Sequence, residues 1–150
     1  MAAKKSSATK GNKKVLEILN QIFQAEMAGI IRYMHYSFMI MGYHRIPIQA
    51  WFRAQANESM AHATIIGEKI TSLGGHPPMV AMKIEESDDH AVNKILEESL
   101  EFESETLELY KQLAKSAGKD IALEEMAREF VRTETEHCEE VAKMLLHVTS

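Results

Sequence analysis

Cysteine is nearly absent from this sequence, since Cys138 is the only one among 150 residues. A single cysteine cannot form an internal disulfide, and it excludes a cysteine-rich zinc or iron site. The scarcity of disulfide-forming residues fits a reducing compartment, and the N-terminus lacks the apolar segment of a secretory signal peptide. We therefore expect a cytoplasmic protein.

Proline and long apolar runs are also scarce. The chain has three prolines, and no apolar run is long enough to span a bilayer. Glutamate, lysine, alanine, leucine and methionine are plentiful, which favours helix. Apolar residues make up 45% of the chain, enough for a core in one domain of this length. The composition predicts a single all-α domain.

Acidic residues outnumber basic ones, and the formal net charge is -5. Residues 1–14 contain five lysines and no acid, so the remainder carries 12 basic and 22 acidic residues, a charge of -10. An acidic body is compatible with cation handling. Residues 1–11 are interpreted as a disordered basic tail. Its lysines either stay solvated or neutralise the phosphates of DNA.

Four long helices are predicted, at about residues 12–41, 47–73, 89–117 and 120–147, with Asn12 as the first cap. Gly42, Gly74-Gly75 and Gly118 separate them. Residues 74–88 lack a helical period, and they are long enough to cross from one end of a bundle to the other. Short, long and short connections predict a ferritin-like four-helix bundle with one long crossover, filling residues 12–150 without a clear fifth helix.

Acids and histidines interrupt the apolar stripes of these helices. Glu26 lies among apolar neighbours in the first helix, and Glu134 with His137 occupies a core-facing turn of the fourth. Burying such groups is costly unless something pairs with them. A Glu-x-x-His pair that faces into a bundle is the ligand unit of di-iron carboxylate proteins. We therefore expect a metal site at the middle of the bundle.

The spacing of the candidate ligands repeats along the chain. Glu26 and His62 are 36 residues apart, as are Glu101 and His137, and the two pairs are offset by 75 residues. This repeat predicts two hairpins related by a pseudo-twofold axis. The alternative is a set of surface acids and one satisfied core histidine. Glu101 fits this alternative best, because other glutamates lie beside it on a polar face.

Over residues 15–146 the sequence resembles bacterioferritins, within the ferritin superfamily. The resemblance lies in the segments FQAEMAGIIRY, SLEFE and TETEH and in a histidine of the second helix. It implies oxidation of Fe(II) to Fe(III) by O2 or peroxide at a di-iron site, followed by iron storage. It also implies a role for each matching residue: terminal ligands Glu26 and Glu101, nitrogen ligands His62 and His137, and bridging ligand Glu134. Tyr33 would be a catalytic residue beside the site that donates a hydrogen bond or an electron, and its alternative role is core packing.

The second helix departs from the bacterioferritin pattern at one ligand. The bridging glutamate of the family falls at Ser59, and Glu58 is the adjacent acid. One hypothesis is that Glu58 turns inward and replaces the missing bridge. The rival is a site with one carboxylate fewer. Met60 matches the methionine that binds haem b between subunits of bacterioferritins, and the alternative is that Met60 fills a gap in the core.

The resemblance also bears on the expected oligomeric state and on the alternative functions. Bacterioferritins have a longer fourth helix and a fifth helix at the pores of a 24-subunit cage, so we expect a homo-oligomer that is a dimer, a smaller shell or a cage. One alternative is a DNA-associated protein of starved cells, whose family builds its site between subunits. Another is a ferritin-like scaffold with a degenerate metal site.

Overall fold

The computed structural model describes residues 10–146, so most of the predicted tail lies outside the described residues. Within this range the protein is all-α, and it contains no helix long and apolar enough to cross a membrane. The four helices are α1 (Lys10–Met39), α2 (Arg45–Ser72), α3 (Val92–Ser116) and α4 (Ile121–Leu145). The predicted all-α bundle is confirmed, and each predicted helix end lies within three residues of the observed one.

The helix ends follow from local chemistry. Gly42, Gly74 and Gly118 all have positive φ, the conformation that commonly closes a helix. Asp120 caps α4, because its side chain accepts a hydrogen bond from the backbone N–H of Leu123 at 3.0 Å. The prediction that Asn12 caps the first helix was wrong, since α1 already includes Lys10.

Two hairpins form the bundle. α1 packs on α2, α3 packs on α4, and α1 also contacts α3. By contrast, no Cα atom of α2 lies within 8 Å of a Cα atom of α4 in the described residues. Side chains rather than close backbone packing must therefore connect α2 with α4.

The core consists of two apolar clusters. One contains residues from the first half of α1, the second half of α2 and the first half of α4, such as Ile22, Ile66 and Phe130. The other contains the opposite halves of these helices, such as Tyr36 and Phe52. A polar layer lies between the two clusters, at the middle of all four helices.

The long crossover runs along α1. Near its start, Gly75 lies beside the Leu16 side chain. Further along, the Met82 backbone N–H donates to the Gln24 carbonyl at 2.9 Å. The crossover thus follows α1 before it enters α3, as the long connection predicted.

Candidate metal centre

Six metal-ligating side chains converge in the polar layer between the two apolar clusters. α1 and α3 contribute one carboxylate each, while α2 and α4 each contribute a carboxylate and an imidazole. The six are Glu26, Glu58, His62, Glu103, Glu134 and His137. Five of the six form two groups, Glu26–His62–Glu134 and Glu103–Glu134–His137, in each of which three donor atoms lie within 4.8 Å of one another, and Glu58 belongs to neither group. Glu134 belongs to both groups.

Glu134 lies between the two imidazoles. Its Oε1 is 3.1 Å from His62 Nδ1, and its Oε2 is 3.5 Å from His137 Nδ1. A second carboxylate approaches the same nitrogen of each ring: Glu26 Oε1 is 3.3 Å from His62 Nδ1, and Glu103 Oε2 is 4.0 Å from His137 Nδ1. This is the arrangement of one shared and two terminal carboxylates.

Glu58 also reaches both histidines. Its Oε2 is 3.1 Å from His137 Nε2, and its Oε1 is 3.7 Å from His62 Nε2. The side chain is 36% exposed, the most of the six. Ser59 is buried beside the cluster and offers no carboxylate. Glu58 thus reaches the two Nε2 atoms, whereas Glu26, Glu103 and Glu134 face the Nδ1 atoms. Replacement of the missing bridge by Glu58 stays a prediction.

Glu101 does not belong to this cluster, and the expectation that it faces the site was wrong. Glu101 is exposed and lines a surface cleft with Arg32 and Lys83. Glu103 is 4% exposed and takes the inward position on α3. Two residues correspond to about 200° of rotation on a helix, so the two side chains leave α3 in nearly opposite directions.

The sequence carried a signal for Glu103 that the 36-residue repeat obscured. The buried positions of α3 follow an alternating spacing of three and four residues, typical of a helix seam. They include Leu96, Ser99, Glu103, Thr106, Tyr110 and Leu113. Glu103 occupies one of these positions, and Glu101 occupies none. The matching 36-residue spacing of Glu101 was a coincidence.

Two buried tyrosines hold the terminal carboxylates. Tyr110 O–H donates to Glu26 Oε1 at 2.6 Å, and Tyr33 O–H donates to Glu103 Oε1. Tyr33 thus contacts the site by its hydrogen bond to Glu103. The sequence analysis did not identify Tyr110. Each tyrosine follows a terminal glutamate by seven residues and binds the glutamate of the other helix, an exchange between α1 and α3 that fits a pseudo-twofold axis.

Burial and mutual contacts shift the pKa values of the cluster. Burial raises the pKa of Glu26 and Glu103, and the Glu134 charge raises both further. Burial also disfavours an ionised Glu134, but hydrogen bonds with His137 and His62 lower the pKa of Glu134 to about 2. Burial acts against imidazolium at His62 and His137, but hydrogen bonds with Glu134 and other carboxylates raise each pKa to about 10. Protons on the two imidazoles thus offset part of the negative charge of the buried carboxylates.

The donor set fits a pair of divalent metal ions. Four carboxylates and two imidazoles offer the oxygen and nitrogen ligands that suit Fe(II). Their grouping around a shared Glu134 provides two adjacent positions with one imidazole each. Burying this many acids without a cation is costly. The residues present therefore fit two iron ions.

Met60 lies apart from this cluster. Its side chain is 54% exposed and lines a shallow groove between α1 and α2 with Met27, Ile30 and Thr64. An exposed methionine is accessible to a ligand shared with another subunit, rather than packed in the core. Haem binding at Met60 stays a prediction.

Comparisons with a family model and with solved structures identify the same ferritin-like fold. A family model described as a ferritin-like domain matches residues 16–149. A ferritin-like, diiron-carboxylate protein from Bacillus anthracis is 26% identical, with a TM-score of 0.87 over 92% of this chain and 99% of that one. The bacterioferritin of Desulfovibrio desulfuricans is 27% identical, with a TM-score of 0.80 over 93% and 82% of the two chains.

A third solved structure shares the fold at lower identity. Dps from Thermosynechococcus elongatus is 20% identical, with a TM-score of 0.86 over 95% of this chain and 97% of that one. No match was found among curated proteins.

Proposed function

Because this chain belongs to the ferritin-like domain family, we propose that it binds two iron ions in the six-residue cluster, oxidises Fe(II) with O2 or peroxide, and stores the product. The observation that carries the proposal is Glu134, whose two carboxylate oxygens face the Nδ1 atoms of two imidazoles, each of which has one further carboxylate within 4.0 Å of the same nitrogen. The resemblance to bacterioferritins supports the storage role.

Each residue of the cluster has a role in this proposal. Glu26 and His62 would hold one ion, and Glu103 and His137 would hold the other. Glu134 and Glu58 would be shared between the two. Two Fe(II) ions held there would supply one electron each. With two protons, the two electrons would reduce O2 to hydrogen peroxide, or hydrogen peroxide to two water molecules, and two Fe(III) ions would result.

The chain's own residues position the ligands and manage protons. Tyr110 and Tyr33 fix the terminal carboxylates by hydrogen bonds, and the apolar clusters on both sides keep water away. Cation binding requires the acids and imidazoles to release protons, because only the deprotonated forms are ligands. Glu58, which is the most exposed member, is the side chain best placed to exchange ions with solvent.

Oxidation kinetics of two neighbouring glutamate variants of α3 test this assignment. Aerobic Fe(II) addition to the apo protein, followed by Fe(III) absorbance, should show a loss of at least about tenfold in Glu103→Ala, since the removed carboxylate is a terminal ligand. Glu101→Ala is the matched control and should keep the wild-type rate. Equal rates for Glu103→Ala and wild type, or a loss confined to Glu101→Ala, would contradict the assignment.

A second pair of variants tests whether Glu58 replaces the missing bridge. Glu58→Ala removes a carboxylate that contacts both histidines, so we expect the second Fe(II) to bind about 10–100-fold more weakly. Ser59→Ala is the control on the adjacent residue and should bind both ions as wild type does. Anaerobic Fe(II) titration measures both. Unchanged stoichiometry and affinity in Glu58→Ala would instead support a site with one carboxylate fewer.

The remaining proposals concern partners. The groove that contains Met27, Ile30 and Met60 exposes apolar side chains between α1 and α2, and exposed apolar patches often mark protein contacts. We therefore propose a homo-oligomer. DNA binding through the basic tail stays the alternative function, resting on the lysines of residues 1–14. The convergence of four carboxylates and two imidazoles in one polar layer argues against the degenerate scaffold.

A further inference from the structure

A second group of metal-ligating side chains lies outside the bundle, between α1 and the end of the crossover. It consists of His35, Glu86 and His90, which offer three ligand atoms within 4.8 Å of one another. His35 Nε2 is 2.7 Å from Glu86 Oε2, and His90 Nε2 is 3.4 Å from Glu86 Oε1. The centroids of the two imidazole rings are 6.0 Å apart. The carboxylate therefore lies between two imidazoles.

The contact between His35 and Glu86 is not an ordinary hydrogen bond. His35 Nε2 is a buried atom without a hydrogen-bond partner, although the Glu86 oxygen is only 2.7 Å away. The two atoms are close, but the alignment that a hydrogen bond needs is missing. A buried nitrogen of this kind is costly to leave unpaired. A cation bound by both the ring nitrogen and the carboxylate oxygen would satisfy both atoms.

The loop that carries Glu86 and His90 is fixed by contacts of its own. The backbone N–H and the side-chain hydroxyl of Ser87 donate to Glu98 of α3, at 3.2 and 2.5 Å. Tyr36 O–H donates to the other oxygen of Glu98 at 2.8 Å. These bonds hold the loop against α1 and α3 without using any of the three ligands. The group is therefore positioned before any ion binds.

The charge of Glu86 favours a cation. Burial opposes its ionisation, but the hydrogen bond with His90 and the nearby His35 lower the pKa of the Glu86 carboxyl below its usual value. Glu86 is therefore ionised at neutral pH. Two imidazoles and one carboxylate are a ligand set for Zn²⁺ and similar ions, with a further position open to water.

We propose that His35, Glu86 and His90 bind one divalent transition-metal ion of the Zn²⁺ class, which fastens the crossover to α1. The site uses none of the six residues of the central cluster. Its role is structural, because it joins two segments that are distant in sequence. It does not depend on the proposed iron oxidation.

Zinc titration in a central-site variant tests the proposal. We expect Glu134→Ala to retain one tight Zn²⁺ per chain, measured by calorimetry with Zn²⁺ alone. Adding His90→Ala should weaken that binding at least about tenfold, because one of three ligands is lost. Adding His76→Ala instead should change nothing, since His76 is an exposed histidine elsewhere on the crossover. Equal Zn²⁺ binding in the two double variants would overturn the proposal.

Hydrogen exchange in the otherwise unaltered protein gives a second measurement, which does not depend on Glu134→Ala folding. Zn²⁺ should slow amide exchange in residues 83–91 by about fivefold or more, because the ion suppresses local opening of the loop. The same addition should have no effect on these amides in His90→Ala, while His76→Ala should behave as wild type. Slowing of equal size in His90→Ala would show that Zn²⁺ acts elsewhere.

Discussion

Replacing Glu134 with alanine is expected to reduce aerobic Fe(II) oxidation to the rate of buffer alone and to prevent tight binding of both ions. Glu134 is the carboxylate that belongs to both ligand groups, so its loss affects the two positions together. Glu136→Ala is the matched control, because Glu136 is an exposed residue of α4 that pairs with Arg132. Stopped-flow absorbance of Fe(III) measures the rate. An oxidation rate in Glu134→Ala close to that of wild type would contradict the central role of Glu134.

The same substitution should also lower the stability of the apo protein. Glu134 is 3% exposed and contacts both imidazoles, so its removal leaves two largely buried rings without their shared partner. A loss of about 1–3 kcal/mol in the free energy of unfolding is expected. Glu136→Ala removes only a surface ion pair and should cost less than about 1 kcal/mol. Glu134→Gln, which preserves the side-chain shape, provides a folded variant if the alanine does not fold.

Metal binding is expected to raise the thermal stability of the protein by a large amount. Ligands that bind only the folded state stabilise it by about 2.7 kcal/mol per site at a free concentration 100 times the dissociation constant. Two sites in a domain of this size then raise the melting temperature by about 10–20 °C. Anaerobic Fe(II) followed by circular dichroism measures the shift, and a chelator should reverse it.

The control for this shift in melting temperature is again a substitution of Glu134. Glu134→Ala should keep only a small part of the Fe(II)-dependent shift, whereas Glu101→Ala should keep all of it. If Fe(II) left the melting temperature of the wild-type protein unchanged, or raised that of Glu134→Ala equally, the cluster would not be the main site of binding.

The sequence was sufficient for the architecture because its helix ends depend on local signals. Gly42, Gly74 and Gly118 adopt the positive φ that ends a helix. The residues between Gly74 and α3 are too many for a tight turn, which indicated the crossover. These signals do not depend on distant contacts, so they could be recognised without the structure.

The inward acids and histidines were predictable where each interrupted an apolar stripe. Glu26, Glu134 and His137 stand among core positions, and the structure brings all three into the cluster together with His62. On α3 the polar face around Glu101 and a coincident spacing outweighed the seam position of Glu103. Helix periodicity is therefore a better guide to a buried ligand than sequence separation between ligands.

Features that depend on side-chain conformation lay beyond sequence analysis. The inward turn of Glu58 depends on its rotamer, because its position at the edge of the α2 face permits either direction. Tyr110 resembled an ordinary core aromatic until its hydroxyl was found 2.6 Å from Glu26. The group of His35, Glu86 and His90 combines a residue of α1 with two residues of the crossover. The crossover has no helical period, so no spacing rule could have predicted that these three side chains lie together.

The most direct test is a crystal structure of the protein soaked anaerobically in Fe(II), with anomalous scattering recorded at the iron absorption edge. We predict two peaks in the central cluster, each within bonding distance of one oxygen of Glu134, with Glu26 and His62 at one and Glu103 and His137 at the other. A cluster without iron, with Glu58 directed to solvent and iron bound elsewhere, would contradict the account.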